Sequence, residues 1–159
     1  MKDGPAERLD PRAITLWRLT AALGMTPVVI GGGIATQALL RVDQTPAWID
    51  LLPLLLAILL GTVTVGVVPP LRWRQWRYEI RPDEVDLQRG ILWVARTLVP
   101  LARIQHVDTK QGPLQRRFGL STVVFYTAAG PNQIPELSTA VAAEVRDRIA
   151  ALTGEQDEL

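Results

Sequence analysis

Few side chains in this 159-residue sequence are of the types that carry out chemistry. His106 is the single histidine, and the sequence has no cysteine to join it as a metal ligand. Zinc sites need several such ligands, so neither a metal site nor thiol chemistry is expected. Ser121 and Ser138 lie outside any Gly-x-Ser-x-Gly motif, and no phosphate-binding glycine loop is present. The sequence therefore predicts a protein that is not an enzyme and that needs no cofactor.

Arginines are the remaining candidates for a binding function. Arg116 and Arg117 precede Phe118, and guanidinium groups match the geometry of phosphate oxygens. Together with Arg103, they are the predicted contacts to lipid head groups or to an acidic partner. The alternative is that the two adjacent arginines are solvated on a surface turn while Phe118 anchors that turn in the core.

Two long uncharged stretches, residues 19–40 and 51–71, dominate the first half of the chain. At about 1.5 Å per residue, each is long enough to cross a hydrocarbon core of roughly 30 Å. Residues 41–50 between them are too few for a domain, and Pro69 and Pro70 are expected to end the second span. The sequence predicts a transmembrane helical hairpin over residues 19–71.

The charges that flank the spans predict their orientation. Basic residues precede the first span (Lys2, Arg8, Arg12 and Arg18) and follow the second (Arg72, Arg74 and Arg77). The short connection between the spans has one arginine, Arg41, and two aspartates, Asp43 and Asp50. Lysine and arginine stay on the cytoplasmic side, so both termini should be cytoplasmic, with residues 1–18 as an N-terminal segment. Four tryptophans near the span ends are expected to anchor them at the membrane interface: Trp17, Trp48, Trp73 and Trp76.

Small residues occur four apart in the first span, where Gly31 is followed by Ala35 and Gly32 by Thr36. This spacing lets two membrane helices approach closely, either within the hairpin or between two copies of the chain. The alternative is that glycine is simply frequent in membrane helices. Neither span contains a charged residue, which argues against an ion or proton pathway.

The second half of the chain changes to short alternating runs broken by turns. Alternation with a period of two predicts six antiparallel strands, at residues 76–80, 85–88, 93–99, 104–111, 122–128 and 133–137. Ser138 is expected to cap a final helix that Gly154 closes and that buries one face: Val141, Val145, Ile149 and Leu152. The prediction is an α+β domain over residues 77–152, a small barrel capped by its C-terminal helix, with a flexible tail at 153–159.

The order of short motifs in this half resembles the YdbS-like bacterial pleckstrin-homology (PH) family. The resemblance rests on these strings: Tyr78-x-Ile80, Val85-x-Leu87-x-x-Gly90, Val99-Pro-Leu-x-x-Ile104-Gln-x-Val107, Gln111-Gly-Pro-Leu114, Arg117-Phe-Gly-Leu120 and Thr127-Ala-Ala-Gly130. It implies a PH-like split barrel of about six or seven antiparallel strands with a capping helix, preceded by two membrane spans. It also implies a multi-pass protein of the bacterial cell membrane.

The absence of catalytic motifs and the membrane anchor together favour a role in protein assembly. Expected partners are the lipid bilayer and either a second copy of the chain or a related membrane protein. The alternative is a tethered module that binds anionic lipid head groups or a small ligand. Basic residues exceed acidic ones only mildly from residue 72 to 152, so nucleic acid is not an expected partner. Eukaryotic PH domains that bind phosphoinositides resemble this fold and have basic residues in the loop between their first two strands. Here that loop is Arg81-Pro-Asp-Glu84, which has two acidic residues and one basic residue and is too acidic for that role.

Overall fold

The computed structural model describes residues 4–41 and 46–157, and the chain divides into two compact units. The helical unit consists of Trp17–Pro70. The domain unit consists of the described residues up to Leu16 together with those from Leu71 onward.

The first helix, α1 (Arg12–Leu39), begins before the predicted span. The Asp10 carboxylate accepts the backbone N–H of Arg12 at 2.9 Å, and Pro11 directly precedes the helix. An aspartate cap followed by proline is a favourable start for a helix, since both suit its unbonded first turn. With 28 residues, α1 is about 42 Å long, which exceeds the thickness of a hydrocarbon core.

The second helix runs beyond the proline pair that was expected to end it. It consists of α2 (Ala47–Asp50), α3 (Leu52–Thr62), a π-helical turn (Val63–Val67) and α4 (Val68–Gln75). Proline lacks an N–H and crowds the preceding turn, and here that turn is widened, with the Val68 N–H donating to the Val63 carbonyl. Of the predicted connection, residues 42–45 lie outside the described residues. Both long helices, Arg12–Leu39 and Trp48–Gln75, are apolar and long enough to cross a membrane.

The domain unit contains two antiparallel three-stranded sheets. The first is β1 (Arg77–Ile80), β2 (Glu84–Gly90) and β3 (Val94–Pro100); the second is β4 (Ile104–Lys110), β5 (Leu120–Thr127) and β6 (Gly130–Ser138). A 3₁₀ turn (Leu101–Arg103) joins the sheets, α5 (Pro113–Phe118) precedes β5, and α6 (Thr139–Asp157) follows β6. The six predicted strands are confirmed, and in the described part of the chain the two sheets do not close into a barrel.

Strand β1 alternates half-buried and buried side chains, as the period of two predicts, whereas Leu120–Phe125 of β5 are buried without a break. Tyr78, Leu87 and Phe125 are buried in the domain unit, and Trp76 is buried as well. The prediction that Trp76 anchors the chain at the membrane interface is therefore wrong. Its position directly before β1 places it at the start of the alternating pattern.

Helix α6 packs through a face that differs by one position from the predicted one. Ala142, Val145 and Ile149 are buried, whereas Val141 is 38% exposed. The small side chain of Ala142 lets the helix approach the sheets closely, so position 142 is buried in place of 141. The Ser138 hydroxyl accepts the Val141 N–H at 3.3 Å, which confirms the predicted cap.

The end of α6 also differs from the prediction. Gly154 was expected to close the helix, yet α6 continues through Asp157 into the predicted tail. A glycine ends a helix when it adopts positive φ, and Gly154 is not among the positive-φ residues.

The N-terminal segment bonds to one strand of each sheet. Glu7 and Tyr78 of β1 form an antiparallel bridge, and the Asp10 N–H donates to the Glu136 carbonyl of β6 at 3.2 Å. Leu9 and Ala13 are buried in the same unit. Residues that precede the helical hairpin are thus part of the strand-containing domain.

Candidate interaction surfaces

The three predicted arginines are exposed, but the structure does not bring them together. Arg116 and Arg117 lie on α5, which leads into the first residue of β5. Arg103 lines a groove with Thr127, the last residue of β5. Eight residues of strand separate its ends by about 23 Å, so Arg103 and the α5 pair belong to different surfaces.

The groove beside Arg103 has a volume of about 270 Å³. Its walls are β3 on one side, with Leu98 and Pro100, and the start of β6 on the other, with Pro131 and Asn132. Arg103 contributes the one charged side chain among the described residues that line it. The groove therefore runs along the outer edge of β3.

Helix α5 is tied firmly to the rest of the domain. The Gln115 amide donates to the Thr122 hydroxyl at 2.9 Å and to the Glu136 carboxylate at 3.1 Å. The Phe118 carbonyl accepts the Arg12 guanidinium at 3.0 Å, which links α5 to the start of α1. These bonds fix the backbone on which Arg116 and Arg117 are exposed.

His106 lies in an exposed polar group on β4. Its Nε2 is 2.9 Å from an Asp108 carboxylate oxygen, and its ring lies 5.8 Å from that of Tyr126. No group of three or more histidine, aspartate or glutamate side chains in the described residues could hold a metal ion.

The first sheet carries an ion-pair network that the sequence analysis did not identify. The Asp86 carboxylate is fully buried and accepts three hydrogen bonds from the Arg96 guanidinium, the shortest at 2.6 Å. Arg81 lies 3.5 Å from Asp86 and 2.7 Å from Glu79. These hydrogen bonds raise the pKa of Arg96, chiefly through Asp86, and that of Arg81, chiefly through Glu79.

This network decides how the β1–β2 turn can act. In eukaryotic PH domains, the corresponding turn binds lipid head groups. Arg81 is the basic residue of this turn here, and carboxylates of its own sheet already form ion pairs with it. The register of the β2–β3 hairpin would have revealed this network. Gln88 faces Arg96, and this pairing places Arg96 diagonally across from Asp86.

The small residues of α1 divide between two environments in the helical unit. A Cβ added at Gly32 would lie 2.9 Å from both the Ala57 Cβ and the Pro53 carbonyl oxygen, so Gly32 packs against α3. Thr36, one turn later, is buried and Ala35 is half-buried. A Cβ at Gly31 would have no neighbour within 4 Å. Gly31 thus lies outside the contact between the two helices.

The most exposed large apolar side chains form the turn between β2 and β3. Leu92 is 85% exposed and Trp93 is 86% exposed. Val94 and Leu98 continue the exposed apolar surface along β3. The sequence placed Trp93 in a strand, and the three apolar residues that directly follow Arg89-Gly90 were the signal for an exposed apolar turn.

The fold and the paired helices agree with the proteins that the chain resembles. The bacterial PH domain family matches residues 25–153. The chain belongs to this family. UPF0699 transmembrane protein YdbS of Bacillus subtilis (strain 168) is 36% identical over 158 residues, which cover 99% of each chain. UPF0699 transmembrane protein YdbT of the same organism is 28% identical over 95 residues, which cover 58% of this chain and 19% of YdbT. No solved structure matches the chain.

Membership in this family confirms the predicted resemblance and the predicted architecture. The matched region begins within α1, so it includes apolar helix as well as the two sheets. This chain is a membrane protein with a bacterial PH domain.

Proposed function

We propose that this protein is a non-enzymatic, multi-pass protein of the bacterial cell membrane whose PH domain assembles with a second copy of itself or with a related membrane protein. The observation that carries the proposal is the exposed outer edge of β3.

Strand β3 lies at the edge of its sheet. In the described part of the chain, β3 pairs with β2 and β4 pairs with β5, and neither has a strand on its other side. The opposite edges, β1 and β6, are both bonded to the N-terminal segment. An edge strand presents backbone N–H and C=O groups to a partner strand, and Val94 and Leu98 add apolar surface there.

A cytoplasmic position of both termini is supported by charge and by backbone contacts. Glu7 precedes the helical hairpin and Tyr78 follows it, yet they are hydrogen-bonded to each other, which supports a hairpin whose two ends share one side of the membrane. Arg72, Arg74 and Arg77 follow the second helix, and lysine and arginine favour the cytoplasmic side. Reporter fusions in the helix connection and at the C terminus test this, and an external C terminus would overturn it.

A related membrane protein is a candidate partner because domains of one fold can extend each other's sheets. YdbT, a longer protein, contains a segment similar to more than half of this chain. Such a segment could supply an edge strand like β3.

Binding of anionic lipid head groups through Arg103, Arg116 and Arg117 is the second candidate. All three side chains are exposed. Their positions toward opposite ends of β5 favour separate contacts over a single head-group pocket.

Cysteine crosslinking in native membranes tests the assembly. The chain has no cysteine, so any disulfide must come from an introduced residue. We expect Leu98→Cys on the β3 edge to form dimers or a specific adduct with another membrane protein. Val141→Cys, an exposed apolar position on α6, is the matched control and should stay monomeric. Equal crosslinking at the two positions, or none at either, would contradict assembly through β3.

A further inference from the structure

The turn between β2 and β3 consists of three apolar residues and holds two of them, Leu92 and Trp93, outside the domain. The strand pairing extends to Gly90 and Val94, so Ile91, Leu92 and Trp93 form the connection. Gly90 has a φ of 147°, and a Cβ at this position would overlap the Trp93 carbonyl oxygen. Only glycine fits this tight turn. We call residues 91–93 the apolar tip.

The apolar tip lies at the end of the sheet where the chain arrives from the second apolar helix. Helix α4 ends at Gln75 and β1 begins at Arg77, which pairs with Gln88 of β2. The Gln88 amide donates to the Gln75 carbonyl at 3.4 Å. From Gln88, β2 runs antiparallel to β1, so the tip projects back past the start of β1 by about 10 Å.

The length of about 10 Å by which the apolar tip projects past the start of β1 is comparable to the depth of one head-group layer. The uncharged stretch of the second helix ends at Leu71, about 6 Å of helix before Gln75. The polar regions of a bilayer add roughly 10–15 Å to the hydrocarbon thickness, divided between two faces. The tip therefore lies beside the segment that joins the domain to the second apolar helix.

The charges around the apolar tip complement an anionic membrane surface. Residues 87–95, which form the tip and the strand ends beside it, contain no aspartate or glutamate, and Arg89 in this stretch is exposed. Helix α4 adds Arg72 and Arg74. Basic residues near the surface are attracted to anionic lipids, and tryptophan favours the membrane interface.

We propose that the apolar tip inserts into the head-group region of an anionic phospholipid bilayer, with Leu92 and Trp93 as the inserted side chains. The contact is separate from the three arginines considered as lipid ligands above, and it does not depend on assembly through β3. It gives the PH domain a membrane attachment in addition to its helices.

Fluorescence from a single labelled cysteine tests the insertion in the full-length protein. Leu92→Cys provides the sole attachment site for an environment-sensitive dye, and Val141→Cys carries the same dye as a control. Both variants are reconstituted in phosphatidylcholine–phosphatidylglycerol vesicles, with or without lipids brominated on their acyl chains. We expect blue-shifted emission at position 92 that brominated lipids quench, and water-like, unquenched emission at position 141. Adding Trp93→Asp to the Leu92→Cys variant should reduce the quenching.

Two outcomes would overturn the proposal. Emission at position 92 as water-like as at position 141 would show that the tip stays in solvent. Emission that is shielded but insensitive to brominated lipids, and that depends on the protein-to-lipid ratio, would show that a second copy of the chain covers the tip.

Discussion

Glu7 and Tyr78 exchange two backbone hydrogen bonds of 3.0 Å, although the helical hairpin separates them in the sequence. The Tyr78 side chain is buried beneath this bridge. Burial raises the pKa of the Tyr78 hydroxyl, and the neighbouring Glu7 carboxylate raises it further. Folding therefore favours the neutral form of the phenol.

The N-terminal segment should contribute directly to the stability of the PH domain. Leu9 is among the most completely buried side chains, so Leu9→Ala should lower the free energy of unfolding by about 2–5 kcal/mol. Leu92→Ala removes the same atoms from an exposed position and should change it little. Thermal melts of the full-length variants in detergent measure the difference, and equal melts would show that the segment does not stabilise the domain.

The sequence predicted the strands and the apolar helices but not the place of this segment. Strands of alternating apolar residues and long uncharged helices leave a local pattern. Residues 4–10 have no such period, and their partners, Tyr78, Trp73 and Glu136, lie more than 60 positions away. Trp73 illustrates the same limit: it was expected to anchor the membrane interface, and its indole N–H donates to the Leu9 carbonyl at 3.0 Å.

The buried face of α6 provides a second test. Ile149 is fully buried, and Ile149→Ala should destabilise the domain by about 2–5 kcal/mol. Val141→Ala should have a small effect because Val141 is exposed. Arg148 is a poor control, since its guanidinium donates to the Ile80 carbonyl at 3.3 Å. Similar melting temperatures for Ile149→Ala and Val141→Ala would contradict the observed packing.

The sequence predicted the exposure of single charged residues on the candidate surfaces, but not which residues lie close together. Arg116 and Arg117 are exposed on α5 and Arg103 is exposed on the 3₁₀ turn, because charged side chains in short connecting elements are solvated. The distance between Arg103 and Arg116 depends on the path of β5, which composition does not encode. The Asp86–Arg96 pair depends likewise on the register of a hairpin whose turn length was unknown.

The ion pair between Asp10 and Arg12 should make the stability of the domain sensitive to acid. Hydrogen bonds from Arg12 lower the pKa of Asp10 below its usual value of 3.8, so folding favours the ionised carboxylate. The resulting stabilisation is complete above pH 3.8 and is lost as the pH falls through the lowered pKa of the folded protein.

Asp10→Asn tests this dependence because asparagine keeps the helix cap and removes the charge. We expect the wild type to be more stable than the variant at neutral pH and the two to converge in acid. Denaturant titrations across this pH range measure the difference. A stability gap that does not change with pH would show that the charge of Asp10 is not involved.

Substitutions at Gly32 and at Gly31 distinguish helix packing within the hairpin from helix packing between two copies of the chain. Gly32→Leu would force a side chain against Ala57 and the Pro53 carbonyl, and overpacking of this kind costs about 1–3 kcal/mol. We expect this variant to loosen the hairpin, which protease sensitivity of the helix connection in reconstituted membranes would detect. Gly31→Leu meets no neighbour within 4 Å and should leave the hairpin intact.

The effect of Gly31→Leu on oligomers then tests the face predicted from Gly31 and Ala35. Close approach of two copies depends on small side chains, because van der Waals attraction falls steeply with distance. Combining Gly31→Leu with Leu98→Cys should reduce crosslinking at the β3 edge if the helices help to hold the copies together, which is the result we expect. The Tm of the domain should be unchanged, since it shares neither residue 31 nor residue 35. Undiminished crosslinking would mean that the PH domain assembles by itself and that the helices serve as its anchor.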